Sequence, residues 1–270
     1  MRLLEMDGEQ VRQILTQFIK DQTHKAGYSR VVIGLSGGLD SAVAAYLSVE
    51  ALGKENCVGV FLPHSVSHPE SLRDAQGVAQ RLGIRTRRVD ISPLVEPFQK
   101  GFHGISAVQL GNIMARVRMI VLYQISAEEN ALIVGTSNKS EILLGYGTLH
   151  GDLACAFNPL GGLYKTQIRV LAKHLNVSEE IQRKTPSADL WAGQSDEGEL
   201  GITYAEADRF LVRWVDKGYT RDQLLKEGFA SDFADRVAAK VISQQFKSKL
   251  PPIAKLSRGA DSDRPLTWPK

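Results

Sequence analysis

The chain has 270 residues, with 33 Lys and Arg against 30 Asp and Glu, a net charge of +3. At 43% hydrophobic and 23% charged it is an ordinary globular composition, which excludes disordered, collagen-like and coiled-coil classes. So small a charge surplus gives no reason to expect nucleic acid or a membrane surface as a partner, and length predicts one or two domains.

Apolar residues at Val11, Ile14, Leu15, Phe18 and Ile19 predict a helix over 8–26. Acids at Glu5 and Asp7 interrupt any secretory leader before it, and no apolar run nears the ~18 residues of a membrane span, so a cytoplasmic location is expected. RVVIGL (30–35) reads as a buried strand, followed by SGGLDS and a helix over 42–53 closed by Gly53. CVGVFLP (57–63) is a second strand, 69–82 a helix and RTRRVDI (85–91) a third strand. The basic run 85–90 is expected to be a solvated strand edge. His64 and His68 lie four apart between prolines, where a helix is improbable. They are expected to be solvated loop residues, not a metal pair. A long helix is predicted over 107–129, with Ile113, Val117, Ile120 and Val121 on one stripe, and ALIVGT (131–136) is a fourth strand.

The second half reads as helical, with helices over 164–175, 204–217, 221–228 and 231–250 and a loop over 185–201. The tail 251–270 is expected to be extended or frayed. Two cysteines, Cys57 and Cys155, without CxxC, exclude a disulfide framework, a cysteine zinc site and an iron–sulfur cluster. Alternating strands and helices predict an α/β fold: one domain over 1–270, a doubly wound, mostly parallel, Rossmann-like sheet with extra C-terminal helices. Right-handed crossovers put SGGLDS, LPHSVSHPE and GTSNKSE on one sheet edge, where ligands bind.

Gly37 and Gly38 between a strand and a helix start let the backbone approach an anion, and the helix N-terminus supplies free N–H groups. Ser36 and Ser41 add hydroxyls. Asp40 beside such a cradle makes sense if a divalent cation bridges it to phosphate. A plain turn with a helix cap is the bland alternative. GLSGG (34–38) also matches GxSxG, which would make Ser36 the nucleophile of a hydrolase with Asp152 and His174. That reading lacks an upstream strand loop for the second oxyanion donor and leaves Asp40 and Ser41 unused.

SGGLDS resembles the SGGxDS pyrophosphate loop of N-type ATP pyrophosphatases, an adenine nucleotide alpha hydrolase-like superfamily that forms AMP adducts. GNIMARVRM (111–119), VGTSNKSEILLGYGTLHGD (134–152), NPLGGLYKTQ (158–167) and KTPSADLWAGQSDEGELGITY (184–204) resemble NAD synthetases in that order. The resemblance implies ATP-dependent amidation of deamido-NAD to NAD with ammonia, through an acyl-adenylate. It implies that Gly34, Leu35, Ser36, Gly37, Gly38, Leu39, Asp40 and Ser41 wrap the ATP pyrophosphate, and that Thr136, Lys165 and Ser187 contact ATP. Asp40 and Glu141 would hold Mg²⁺. Asn112, Arg116, Asp152 and Lys247 would face deamido-NAD, with Asp152 a possible acceptor of the ammonium proton. Leu149 and Phe246 replace a lysine and a histidine of many relatives. The resemblance also implies a homodimer.

Other functions stay open at this point: another AMP-forming ligase or tRNA-modifying enzyme of the superfamily, the serine hydrolase, or a nucleotide sensor without catalysis. Only ~30 residues precede the loop, too few for a glutaminase domain. Free ammonia is therefore the expected nitrogen source, with a separate glutaminase partner as the other option.

Overall fold

The computed structural model describes residues 2–254 apart from 192 and 250. Among the described residues, four strands form one parallel sheet: β1 (Val31–Gly34), β2 (Cys57–Phe61), β3 (Arg85–Arg88) and β4 (Leu132–Ile133). Their spatial order is β3-β2-β1-β4, with Val31 facing Cys57 on one side and Leu132 on the other. β1 and β2 are apolar because both of their faces are covered, whereas the edge strand β3, RTRR, is exposed throughout. Val31 and Ile33 enter one core with helices α1 (Gly8–Lys25), α2 (Leu39–Leu52) and α3 (Pro69–Leu82). Val32, Val58 and Val60 enter another under α4 (Ser92–Gly101) and α5 (Ala107–Glu129).

The chain then leaves the sheet. After α6 (Lys139–Leu144), α7 (Lys165–His174) packs on α1 and α2. Next come α8 (Glu179–Arg183), α9 (Asp196–Leu200), α10 (Tyr204–Leu211), α11 (Arg221–Lys226) and α12 (Ser231–Gln244). The last four of these gather round Phe210, whose ring meets Phe229 and Phe233 edge to face at 5.3 and 5.6 Å. Local signals set the ends. Asp7 accepts from Glu9 and Gln10 N–H to start α1, and Ser106 with Gln109 forms a capping box for α5, which stops at left-handed Asn130.

Several expected spans differ. The strand expected over 131–136 narrows to Leu132–Ile133, because from Val134 onward the chain bridges Phe157 on its far side. The third strand stops at Arg88, although Val89 and Ile91 still donate irregularly to Phe61 O and Pro63 O. The helix expected to reach residue 217 widens into a π-type turn at Val212–Asp216, and the one expected to reach 250 tightens at Gln245–Ser248. Helices α4 and α8 are additional, and α9 lies inside the expected loop 185–201. Ile120 is 59% exposed, off the buried stripe of α5. Residues 251–254 are irregular, and the rest of the expected tail, 255–270, lies outside the described residues.

Candidate active site

β1 has β2 on one side and β4 on the other, so the chain departs in opposite directions from the ends of β1 and β4. That opens a crevice beyond their carboxyl edges. The β1–α2 loop lines it. Gly37 has φ +78°, and a Cβ there would lie 2.1 Å from Ser71 O, so only glycine fits. Ser41 Oγ donates to Gly38 O at 3.0 Å and accepts from Ser36 N at 3.3 Å, while Ser36 Oγ accepts from Gly38 N at 3.2 Å. The serines thus fold the loop. Gly38, at the N-cap of α2, offers no side chain to the first helical N–H groups, so they remain available to an anion.

Asp40, in the first turn of α2, sits beside Lys165 at the start of α7. The Lys165 ammonium bonds Asp40 Oδ2 and donates to Glu141 Oε1 at 3.3 Å. Lys165 is only 4% exposed, and its ammonium lies 5.4 Å from the centroid of the Tyr204 ring. Burial alone would lower its pKa, but the Asp40 and Glu141 carboxylates outweigh burial and hold it above the ordinary lysine value. Burial pushes the Glu141 carboxyl up, Lys165 pulls it down and Asp40 pushes it up again. Asn138 joins the centre: its Oδ1 accepts from Glu141 N at 3.0 Å, Glu141 Oε2 accepts from Asn138 N at 3.2 Å, and its amide reaches Asp40 Oδ1 at 3.4 Å. This capping box fixes Glu141 at the β4–α6 turn.

Fully buried Asp208 on α10 supports the centre from behind. It accepts Ser140 Oγ–H at 2.5 Å and Thr166 N–H at 2.9 Å, and Ser140 Oγ accepts Lys165 N–H at 2.9 Å. Burial raises its carboxyl above the ordinary value, and those bonds remove only part of the rise.

A second cluster forms about the turn 145–152. Asn112 Oδ1 accepts from Thr148 Oγ1 at 2.8 Å, and Arg116 Nε donates to Leu149 O at 3.2 Å. Asp152 Oδ1 accepts from Thr148 N at 2.8 Å. Lys247 Nζ donates to Gly145 O at 2.8 Å and Gly147 O at 3.1 Å. All four residues expected to face deamido-NAD therefore meet one turn, and Asn112 and Arg116 share a helix face as their spacing predicts.

Thr136 stands half-buried just beyond β4. Exposed Ser187 only accepts from Asp189 N, at 3.1 Å. Lys184, three residues earlier, makes the contact with the cradle: its ammonium donates to Gly37 O at 3.3 Å, Ser71 Oγ at 3.3 Å and Asp74 Oδ2 at 2.6 Å. The hydrolase triad does not assemble. Ser36 Oγ is bound to Ser41 and Gly38, Asp152 to Thr148, and the His174 ring packs against Gly8. His64 is buried rather than solvated, its Nδ1 facing Val66 N–H at 3.3 Å, whereas exposed His68 caps α3 through Glu70 N–H. The basic β3 is an exposed edge strand, as expected, with Arg85 and Arg87 paired to Glu129 and Glu128.

Asn138 was legible as the start of an N-x-x-E capping box. Lys184, Asp196 and Asp208 carried no local signal. The donor set fits a hard divalent cation: the Asp40 and Glu141 carboxylates stand next to an anion cradle, and Asp196 has a buried oxygen without a partner.

Fold and site together define a doubly wound α/β protein that can hold a phosphorylated ligand at its switch point, between a glycine cradle and buried carboxylates. Among the described residues no helix is long and apolar enough to cross a membrane. The profile of the NAD synthase family matches residues 11–251, and the chain belongs to that family. It is 46% identical to the NH(3)-dependent NAD(+) synthetase of Chlorobium phaeobacteroides (strain BS1) over 94% of this chain and 92% of that one. Its fold is similar to that of an NMN synthetase from Francisella tularensis (TM-score 0.83, 32% identity, covering 93% of this chain and all of that one). It is also similar to the NH3-dependent NAD synthetase from Campylobacter jejuni (TM-score 0.80, 35% identity, 93% and all).

Proposed function

We propose that this chain is an ammonia-dependent NAD synthetase that amidates deamido-NAD at the expense of ATP, releasing AMP and pyrophosphate. The observation that carries this reading is the meeting of the SGGLDS cradle, Lys165 and two carboxylates at one switch point in a chain of the NAD synthase family.

A carboxylate resists attack because its charge repels a nucleophile and oxide leaves poorly. A nicotinate oxygen therefore attacks the α-phosphorus of ATP, and the bond to the β-phosphate oxygen breaks. The uncapped N–H groups of residues 39–41 and the Lys165 ammonium take up the charge on the departing pyrophosphate. Thr136 and Ser187 contact the nucleotide. Asp40 and Glu141 would hold Mg²⁺, which supplies positive charge against phosphate oxygens when bound. Ammonia then attacks the acyl carbon, the bond to AMP oxygen breaks, and the proton released passes to Asp152. Asn112, Arg116 and Lys247 orient the dinucleotide, so positioning supplies most of the acceleration.

The whole chain acts as one synthetase domain in the cytoplasm and as a homodimer. The exposed stripe Val108, Ile120 and Tyr123 on α5, which includes Arg116, supports an interface beside the dinucleotide site. Ammonia arrives free or from a separate glutaminase. A second reading, amidation of the mononucleotide, is favoured by the likeness to the NMN synthetase. The deciding assay offers deamido-NAD and nicotinate mononucleotide, each with ammonium or glutamine. NAD formation with deamido-NAD and ammonium is expected. Faster turnover of the mononucleotide, or no amide from either, overturns the proposal.

A further inference from the structure

Asp196 opens α9 and is 4% exposed. Tyr204 Oη donates to its Oδ2 at 3.3 Å, and its own N–H donates to Pro186 O at 3.0 Å. The other oxygen, Oδ1, is buried and has no hydrogen-bond partner, the one carboxylate oxygen so placed among the described residues; the Tyr146 hydroxyl lies beside Asp196, but its proton goes to Glu199 Oε2 at 2.9 Å. A buried unpaired carboxylate oxygen costs free energy, so a native site that keeps one points to a ligand. Tyr204 ties it to the centre: the hydroxyl that donates to Asp196 is carried by the ring whose centroid lies 5.4 Å from the Lys165 ammonium, which in turn bonds Asp40 and Glu141.

We propose that Asp196 Oδ1 accepts a hydrogen bond from a water carried by a divalent cation seated at Asp40 and Glu141, which makes Asp196 a positioning residue of that centre. The inference rests on the reading of Asp40 and Glu141 as cation ligands. A magnesium-like ion held by one or two carboxylates keeps several waters, and those waters need acceptors. Among the described residues no three acids, histidines or cysteines converge closely enough to ligate an ion directly. An outer-sphere place therefore suits Asp196, and outer partners of this kind hold the coordinating groups in register. Anchoring of α9 alone does not account for the geometry, because Tyr204 uses only Oδ2.

The test is Mn²⁺ binding, followed by electron paramagnetic resonance, to the full chain with α,β-methylene ATP. Asp196→Asn and Asp196→Ser are compared with Glu199→Gln, which removes an exposed charge from the same short helix. Thermal unfolding checks each fold, and whichever Asp196 variant stays folded is decisive. A loss of about 10–100-fold in Mn²⁺ affinity is expected for Asp196 variants, against less than about twofold for Glu199→Gln. Equal affinity in Asp196 variants and wild type, or an equal loss in Glu199→Gln, overturns the inference. Wild-type protein that forms NAD while Asp40→Asn binds Mn²⁺ normally overturns the ligand assignment beneath it. Wild-type protein that forms no NAD overturns the proposed function instead.

Discussion

Lys165→Met deletes the ammonium that two buried carboxylates share, at nearly constant side-chain volume. The Asp40 and Glu141 side chains are 15% and 14% exposed, so water compensates little for the lost charge. Removing one partner of a buried ion pair costs about 3–5 kcal/mol. Asn138 still reaches Asp40 Oδ1 and still donates to Glu141 Oε2, which places the expected loss near the lower end, at about 3 kcal/mol. With a urea slope of about 3 kcal/mol per molar, the unfolding midpoint falls by about 1 M. Urea titration followed by circular dichroism measures this directly. Adding Asp40→Asn should restore part of the stability, a coupling of about 1 kcal/mol or more in a double-mutant cycle. A midpoint within about 0.2 M of wild type, or strictly additive effects, would refute the claim that Lys165 neutralises this centre.

Asp40→Ala should abolish pyrophosphate and AMP release while the near-ultraviolet circular dichroism stays native. Gly37→Ala forces a side chain into left-handed backbone and onto Ser71 O, so the KM for ATP should rise at least about tenfold in steady-state kinetics, with about 1–2 kcal/mol lost in stability from the backbone alone. Arg116→Ala should raise the KM for deamido-NAD about tenfold and leave ATP binding, read by calorimetry, within about twofold, because Arg116 belongs to the turn cluster and not to the cradle. The Cys57 thiol is buried, and burial pushes it up to about 12. Native protein should therefore leave Cys57 unmodified by iodoacetamide at pH 8, and mass spectrometry should find it labelled only after unfolding.

The elements that could be read from sequence are those whose signals are local. The limits of α5 follow from Ser106, Gln109 and the left-handed Asn130, and the cradle follows from two glycines between a strand and a helix start. Lys165, Asp40 and Glu141 were named from motif resemblance, but their mutual contact spans 125 and 24 residues and no periodicity encodes it. Asp208 escaped notice for the same reason: its partners Ser140 and Thr166 lie 68 and 42 residues away, and on its own helix it reads as one more acid. Ile120 deceived because a helical stripe identifies an apolar face without saying what covers it. His64 deceived because flanking prolines speak for an irregular backbone, which can still be buried.

Asp208 links parts of the chain that composition alone would treat as separate. The C-terminal helices build their own aromatic core round Phe210, yet a single carboxylate from that core grips the first turns of both α6 and α7. The helical layer behaves as a clamp on the crevice, and the pitch of α10 sets the angle at which the lysine enters it. Phe229 and Phe233 pack on Phe210, two residues along α10 from Asp208, so their packing bears on the helix that carries this carboxylate. Variation in the C-terminal third is therefore constrained by alignment of the crevice as much as by the integrity of its own core.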